Sequence, residues 1–182
     1  MNRKMEIERK FLVKLDDVAQ IFSDEISLNG SFKMIYIEQS YLVNTEKISV
    51  RVRIQREFES KELSKFSLIK ESKAFMNIKE ATIESFAERL ETEFEIPFDD
   101  ALHLYQTSRY ILRKNRNIIH HDGQKWELDV FQFPFFNFAL AEIELPSLDT
   151  NITLPSWVGR EVTHEKKFLN SELAKNGWHE TF

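Results

Sequence analysis

Apolar and polar residues alternate with period two along most of the chain, from Glu6-Ile7-Glu8-Arg9-Lys10-Phe11 to Ala141-Glu142-Ile143-Glu144-Leu145. Period two is the mark of a strand with two different faces, because successive side chains point to opposite sides. The pattern predicts strands over residues 6–13, 35–43, 49–56, 65–71, 92–97, 108–120, 125–133 and 139–145. Asp122-Gly123 between the sixth and seventh reads as a tight hairpin turn. Helical spacing is sparser. Asp16 caps a segment through residue 22 that puts Val18, Ile21 and Phe22 on one side, and Asp99 caps 101–106. A third helix is predicted near 165–175, ended by Asn176-Gly177. Residues 76–90 support two readings: Ile83, Phe86, Ala87 and Leu90 have helical spacing, whereas the flanks look like a hairpin. About eight strands with minor helices imply a mainly β fold, an antiparallel barrel or a sandwich.

No repeat, low-complexity tract or linker divides the 182 residues, so residues 1–182 read as a single domain. A hydrophobic share of 42% suffices for a core. The net charge of −5 argues against a general grip on nucleic acid, which needs a basic surface. With no cysteine there is no disulfide, thiolate metal site or thiol nucleophile. The amino-terminal residues lack an apolar run of signal-peptide length and no stretch reaches the roughly 20 apolar residues of a membrane span. A cytoplasmic protein without membrane contact is the expectation.

The charges change this ordinary picture, because the signs are segregated by strand. Glu6, Glu8 and Lys10 share one face, as do Arg51 and Arg53, Glu93 and Glu95, Glu142 and Glu144, and Arg109 and Arg113. Glu127 and Asp129 oppose Trp126, Leu128 and Val130, and Phe66, Leu68 and Lys70 share a face. A solvated face usually mixes lysine with glutamate, since like charges side by side are destabilising. Segregation is sensible if the faces line one cavity. Carboxylates in close array suit hard divalent cations such as Mg²⁺ or Mn²⁺, while arginine forks and lysines suit phosphate oxygens. Charged residues filling a barrel would leave apolar outer faces, to be covered by helices or by a second subunit in a homodimer.

Glu6-Ile7-Glu8-Arg9-Lys10 resembles the Glu-x-Glu-x-Lys signature of the CYTH superfamily, the triphosphate tunnel metalloenzymes. Further segments similar to the family occur in order: Gln39-Ser40-Tyr41-Leu42, Arg51-Val52-Arg53, Leu68-Ile69-Lys70, Glu93-Phe94-Glu95, Ser108-Arg109-Tyr110, Trp126 to Phe131, Glu142-Ile143-Glu144, and a closing Gly159 to Thr163. The resemblance implies an eight-stranded antiparallel closed barrel with a few short covering helices, whose tunnel takes a triphosphate with Mg²⁺ or Mn²⁺. It implies that Lys10, Arg51, Arg53, Lys70 and Arg109 bind substrate, and Arg113, on the same face as Arg109, is added to them by parity. It also implies that Glu6, Glu8, Glu93, Glu95, Asp129, Glu142 and Glu144 hold metal, with Glu142, Glu144, Lys10 and Arg53 at the chemistry. Hydrolysis of an inorganic or small organic triphosphate is the implied activity; adenylyl cyclisation and non-catalytic polyphosphate binding are the alternatives. Two positions depart from the family pattern. Thr107 stands where some members have the lysine of Lys-x-Arg-Tyr, and Glu91 stands where a basic residue often precedes Glu-x-Glu, with Arg89 at the same parity.

Overall fold

The computed structural model describes residues 2–62, 64–68, 71–81, 87–134 and 138–177. Ten strands alternate with three helices: β1 (Asn2–Val13), α1 (Leu15–Asn29), β2 (Phe32–Asn44), β3 (Ile48–Glu62), β4 (Lys65–Leu68), β5 (Lys73–Ala81), β6 (Glu88–Glu95), α2 (Phe98–Thr107), β7 (Ile111–His121), β8 (Gln124–Phe133), β9 (Ala139–Glu144), β10 (Val158–Glu161) and α3 (Asn170–Asn176). Eight strands close a ring in the order β1-β6-β5-β3-β2-β7-β8-β9, and every ladder is antiparallel. β1 makes the closure: its residues 2–7 pair with β6 and its residues 8–13 pair with β9. β4 and β10 lie off the ring, paired with β3 and β1. The sandwich alternative is thereby removed.

Within 76–90 the hairpin reading is the one the fold adopts. Lys73–Ala81 is a barrel strand, with Lys73, Phe75, Asn77 and Lys79 alternating against Ala74, Met76 and Ile78. Ile83 and Phe86 lie outside the described residues, as does Lys70. α1 runs past residue 22 and stops at Gly30, whose φ of 77° and N–H to the Ile26 carbonyl (2.8 Å) make a left-handed cap. Asp16 and Asp99 sit inside their helices' first turns rather than at the caps, where a carboxylate favours the positive end of the helix dipole. At the β7–β8 hairpin both Asp122 and Gly123 have positive φ, as a turn matching the strand twist requires.

Three apolar clusters fix the barrel. On the outside, Ile21 and its neighbours on α1 pack over Phe11, Ile119, Trp126, Ala141 and Ile143. α2 places Ala101 and Tyr105 over Val52, Ile54 and Ala74. Helices thus cover two outer faces. The third cluster has the opposite parity: Tyr41, Leu112, Phe131 and Leu140 point inward and meet Phe168 and Leu173 of the carboxy-terminal segment. One end of the barrel interior is therefore filled, and the remainder is left to charged side chains. No described helix is long and apolar enough to cross a membrane.

Candidate active site

The interior holds a cavity of about 270 Å³ whose lining includes Lys4, Glu6, Glu8, Gln39, Arg51, Arg53, Lys79, Glu91, Glu93, Lys114, Arg116, Glu127, Glu142 and Glu144. A smaller recess beside it is lined by Glu8, Lys10, Arg51, Lys79 and Arg89. Strand register explains the neighbours. Lys10 stands opposite Glu142 and Glu8 opposite Glu144 across the β1–β9 ladder. Glu142 is also opposite Glu127 on β8, and Asp129 is opposite Arg116 on β7.

The cations and carboxylates meet in a buried network. Lys10 Nζ donates to Glu142 and reaches Glu8 at 2.9 Å. Arg116 donates to Asp129 at 2.7 and 2.8 Å, to Glu142 at 2.5 Å and to Glu127. Lys114 also bonds Asp129, which is wholly buried. Across the cavity Arg53 donates to Glu93 at 2.6 Å, and Lys79 bonds Glu6 with Glu91 at 3.6 Å. Burial alone would neutralise these groups, so the partners decide their charge. Burial pushes Glu142 up, yet Lys10, Lys114 and Arg116 together hold it well below the usual carboxylate range. Burial likewise opposes the charge on Lys10, and Glu142 with Glu8 more than offsets it. For two cations the balance goes the other way. Burial and then Arg116 push Lys114 down to about 8, and burial and then Arg51 push Arg53 down to about 10.

Most of the residues singled out in the sequence are brought together: Glu6, Glu8, Lys10, Arg51, Arg53, Glu93, Asp129, Glu142 and Glu144 all face the interior or its buried wall. Three are not. Glu95 ends β6 and pairs with Lys73 at 3.6 Å, largely exposed. Arg109 lies in the turn before β7, beside an outer groove with Leu104, Thr107 and Tyr110. Arg113 points outward to Glu38 at 3.0 Å and sits over the Phe133 ring. The cause is the choice of face. β7 begins at Ile111, not 108, and its even positions Leu112, Lys114 and Arg116 take the inward face, which turns Arg113 outward.

The residues missed are Lys79, Glu91, Lys114, Arg116, Glu127 and Lys4. Three of them, Lys114, Arg116 and Glu91, had a signal in the sequence. Lys114-Asn115-Arg116 supplies inside the barrel the Lys-x-Arg spacing that Thr107 breaks outside it, and Arg89 stands two before Glu91-Thr92-Glu93. Both departures from the family pattern thus disappear on the correct register.

Hard oxygen donors on adjacent strands, Glu8 beside Glu144 and Glu127 beside Glu142, are the ligand type that suits a divalent magnesium or manganese ion. Among the described residues no three acidic or imidazole groups converge on one point, because lysines and arginines already occupy the carboxylates. The donor type fits such a metal, and in this structure each of these carboxylates has a lysine or arginine partner.

The chain matches the CYTH domain family over residues 4–175. It is 30% identical over 173 residues to an inorganic triphosphatase of Acetivibrio thermocellus, covering 94% of each chain. It is likewise 30% identical over 174 residues to an inorganic triphosphatase of Nitrosomonas europaea, covering 93% of this chain and 96% of that one. A crystal structure of an inorganic triphosphatase superposes with a TM-score of 0.58 at 28% identity, covering 93% of both chains.

Proposed function

Since the chain belongs to the CYTH domain family, we propose that it is a divalent-metal-dependent triphosphatase that cleaves inorganic tripolyphosphate or a small organic triphosphate inside its barrel. The observation that carries this reading is an interior in which lysines and arginines from five strands, β1, β3, β5, β6 and β7, face carboxylates from β1, β6, β8 and β9. Both full-length relatives named inorganic triphosphatase support it.

Phosphoryl transfer asks little covalent chemistry of a protein; it asks for positioning and for charge to be met where it develops. Arg51, Arg53, Lys10, Lys79, Lys114 and Arg116 would hold the phosphate oxygens, each fork or ammonium matching one edge of the chain. Glu6, Glu8, Glu142 and Glu144 would hold Mg²⁺ or Mn²⁺, with support from Glu93 and Asp129. When bound, the metal supplies a Lewis acid for phosphate oxygens and lowers the pKa of water. A carboxylate left free by its lysine, Glu142 or Glu144, would accept the proton of the attacking water. The same reading has the enzyme working in the cytoplasm on a free small molecule.

Product analysis with tripolyphosphate and ATP, each with Mg²⁺ and with Mn²⁺, tests the proposal. Orthophosphate is the expected product. Pyrophosphate with cyclic nucleotide would make it a cyclase instead, and binding without turnover would make it a polyphosphate receptor.

A further inference from the structure

Arg51 differs from its neighbours in what holds it. Lys4, Lys10, Arg53, Lys79, Lys114 and Arg116 each bond a carboxylate. Arg51, buried in the wall shared by the cavity and its recess, has no carboxylate within ion-pair distance among the described residues. Its Nε donates to Asn77 Oδ1 at 3.3 Å, and its Nη1 donates to Gln39 Oε1 at 3.2 Å and to the Tyr41 hydroxyl at 3.4 Å. All three partners are neutral and almost fully buried. They are placed by register: Tyr41 and Asn77 stand opposite Arg51 on the two flanking strands, β2 and β5.

The partners are themselves fixed. Gln39 Nε2 donates to the Tyr41 hydroxyl at 3.0 Å, which leaves the Gln39 carbonyl turned to Arg51. Asn77 Nδ2 donates to Glu91 at 3.1 Å and to Glu93, which leaves its carbonyl turned to Arg51 in the same way. One amide thus bonds both the guanidinium and two carboxylates, neither of which comes within ion-pair distance of Arg51.

We infer that Gln39, Tyr41 and Asn77 are positioning residues that hold Arg51 unpaired, so that it takes up a substrate phosphate without first giving up an ion pair. This rests on the triphosphatase reading. Those six cations must exchange a carboxylate for phosphate, and that exchange cancels part of the gain. Arg51 has only neutral hydrogen bonds to share, and it carries a disproportionate part of the affinity for the empty cavity.

Gln39→Glu tests this, because it keeps an acceptor facing Arg51 and makes it a charged one, while the Tyr41 hydroxyl, no longer accepting from Gln39 Nε2, turns to donate to the new carboxylate. Gln39→Met is the neutral control that loses the hydrogen bond. Tripolyphosphate binding is measured by calorimetry in EDTA, and KM and kcat are measured with Mg²⁺. The expected result is that Gln39→Glu weakens binding and raises KM about tenfold or more, the size of one charged hydrogen bond, with kcat within about threefold. Gln39→Met should fall between it and the wild type. If Gln39→Glu does not fold, Asn77→Asp against Asn77→Ala makes the same comparison from β5. A charged variant that binds as well as its neutral control overturns the inference while leaving the triphosphatase reading intact. A wild-type chain that neither binds nor cleaves tripolyphosphate overturns that reading itself.

Discussion

Lys10 and Glu142 face each other across the β1–β9 ladder and form an ion pair buried from solvent on both sides. Glu142 also accepts a hydrogen bond from Arg116, so one carboxylate joins β1, β9 and β7. Glu142→Gln should remove turnover and lower stability by about 1–3 kcal/mol, the cost of leaving buried donors short of an acceptor. The loss stays below that of a fully orphaned pair because Lys10 keeps Glu8 and Arg116 keeps Asp129. Denaturant unfolding and a phosphate-release assay measure the two effects.

Two arginines three residues apart on β7 should behave oppositely. Arg116→Ala should weaken tripolyphosphate binding by about 1.5–3 kcal/mol, the range for hydrogen bonds to charged groups. Arg113→Ala should leave binding unchanged, since its surface contact with Glu38 is worth about 1 kcal/mol or less and touches no lining residue. Calorimetry on both variants decides; equal losses would mean that the face assignment is wrong.

Lys114 gives the site a pH dependence. Burial, and then Arg116, push it down to about 8 in the empty protein, and a phosphate beside it favours the charged form. Binding near pH 8 should therefore take up a fraction of a proton, and affinity should fall as the pH rises past that value. Titrations in buffers of different ionisation enthalpy read the uptake directly, and Lys114→Met should remove it. The sign for the empty protein is also fixed. Between about pH 8 and the ordinary lysine value of 10.5 the unfolded chain holds more protons at this group, so its contribution to stability rises with pH.

Excess EDTA should abolish turnover and leave the fold intact, because the interior carboxylates already have lysine or arginine partners without metal. Thermal unfolding with and without chelator should agree within a few degrees while phosphate release stops, and Mg²⁺ or Mn²⁺ should restore it. Persistent turnover in EDTA would remove the metal from the chemistry.

Val52→Ala separates packing from binding. Val52 is fully buried between the sheet and α2, while Arg51 and Arg53 on either side face the cavity. The variant should lose about 1–3 kcal/mol of stability and bind tripolyphosphate normally.

How far the site was legible in the sequence depended on how clean each strand's alternation was. On β1 and β9 charged residues alternate with Phe11, Ala141 and Ile143, so parity placed Glu6, Glu8, Lys10, Glu142 and Glu144 on the inner face. β7 offers no such contrast. Leu112 lies inward with Lys114 and Arg116, while Ile119 lies outward with Arg113, Asn115 and Asn117, so both faces carry polar and apolar residues. There the pattern could not choose between the faces. On β6 the parity was right and the extent was wrong, because Glu91, Glu93 and Glu95 share a face but the last stands at the strand's end. Lys79 was hidden in a segment that supported both a helix and a hairpin, although Ala74, Met76 and Ile78 alternate with the polar residues around it.

The strand that closes the barrel is also the strand that carries Glu6, Glu8 and Lys10. Parting β1 from β9 would separate Lys10 from Glu142 and Glu8 from Glu144 in the same movement. The fastening of the ring and the wall of the cavity cannot come undone independently. An occupant of the cavity is therefore also a clasp on the seam. Its presence should register as slower hydrogen exchange at the backbone amides of residues 8–12, even where those amides touch nothing but their own ladder.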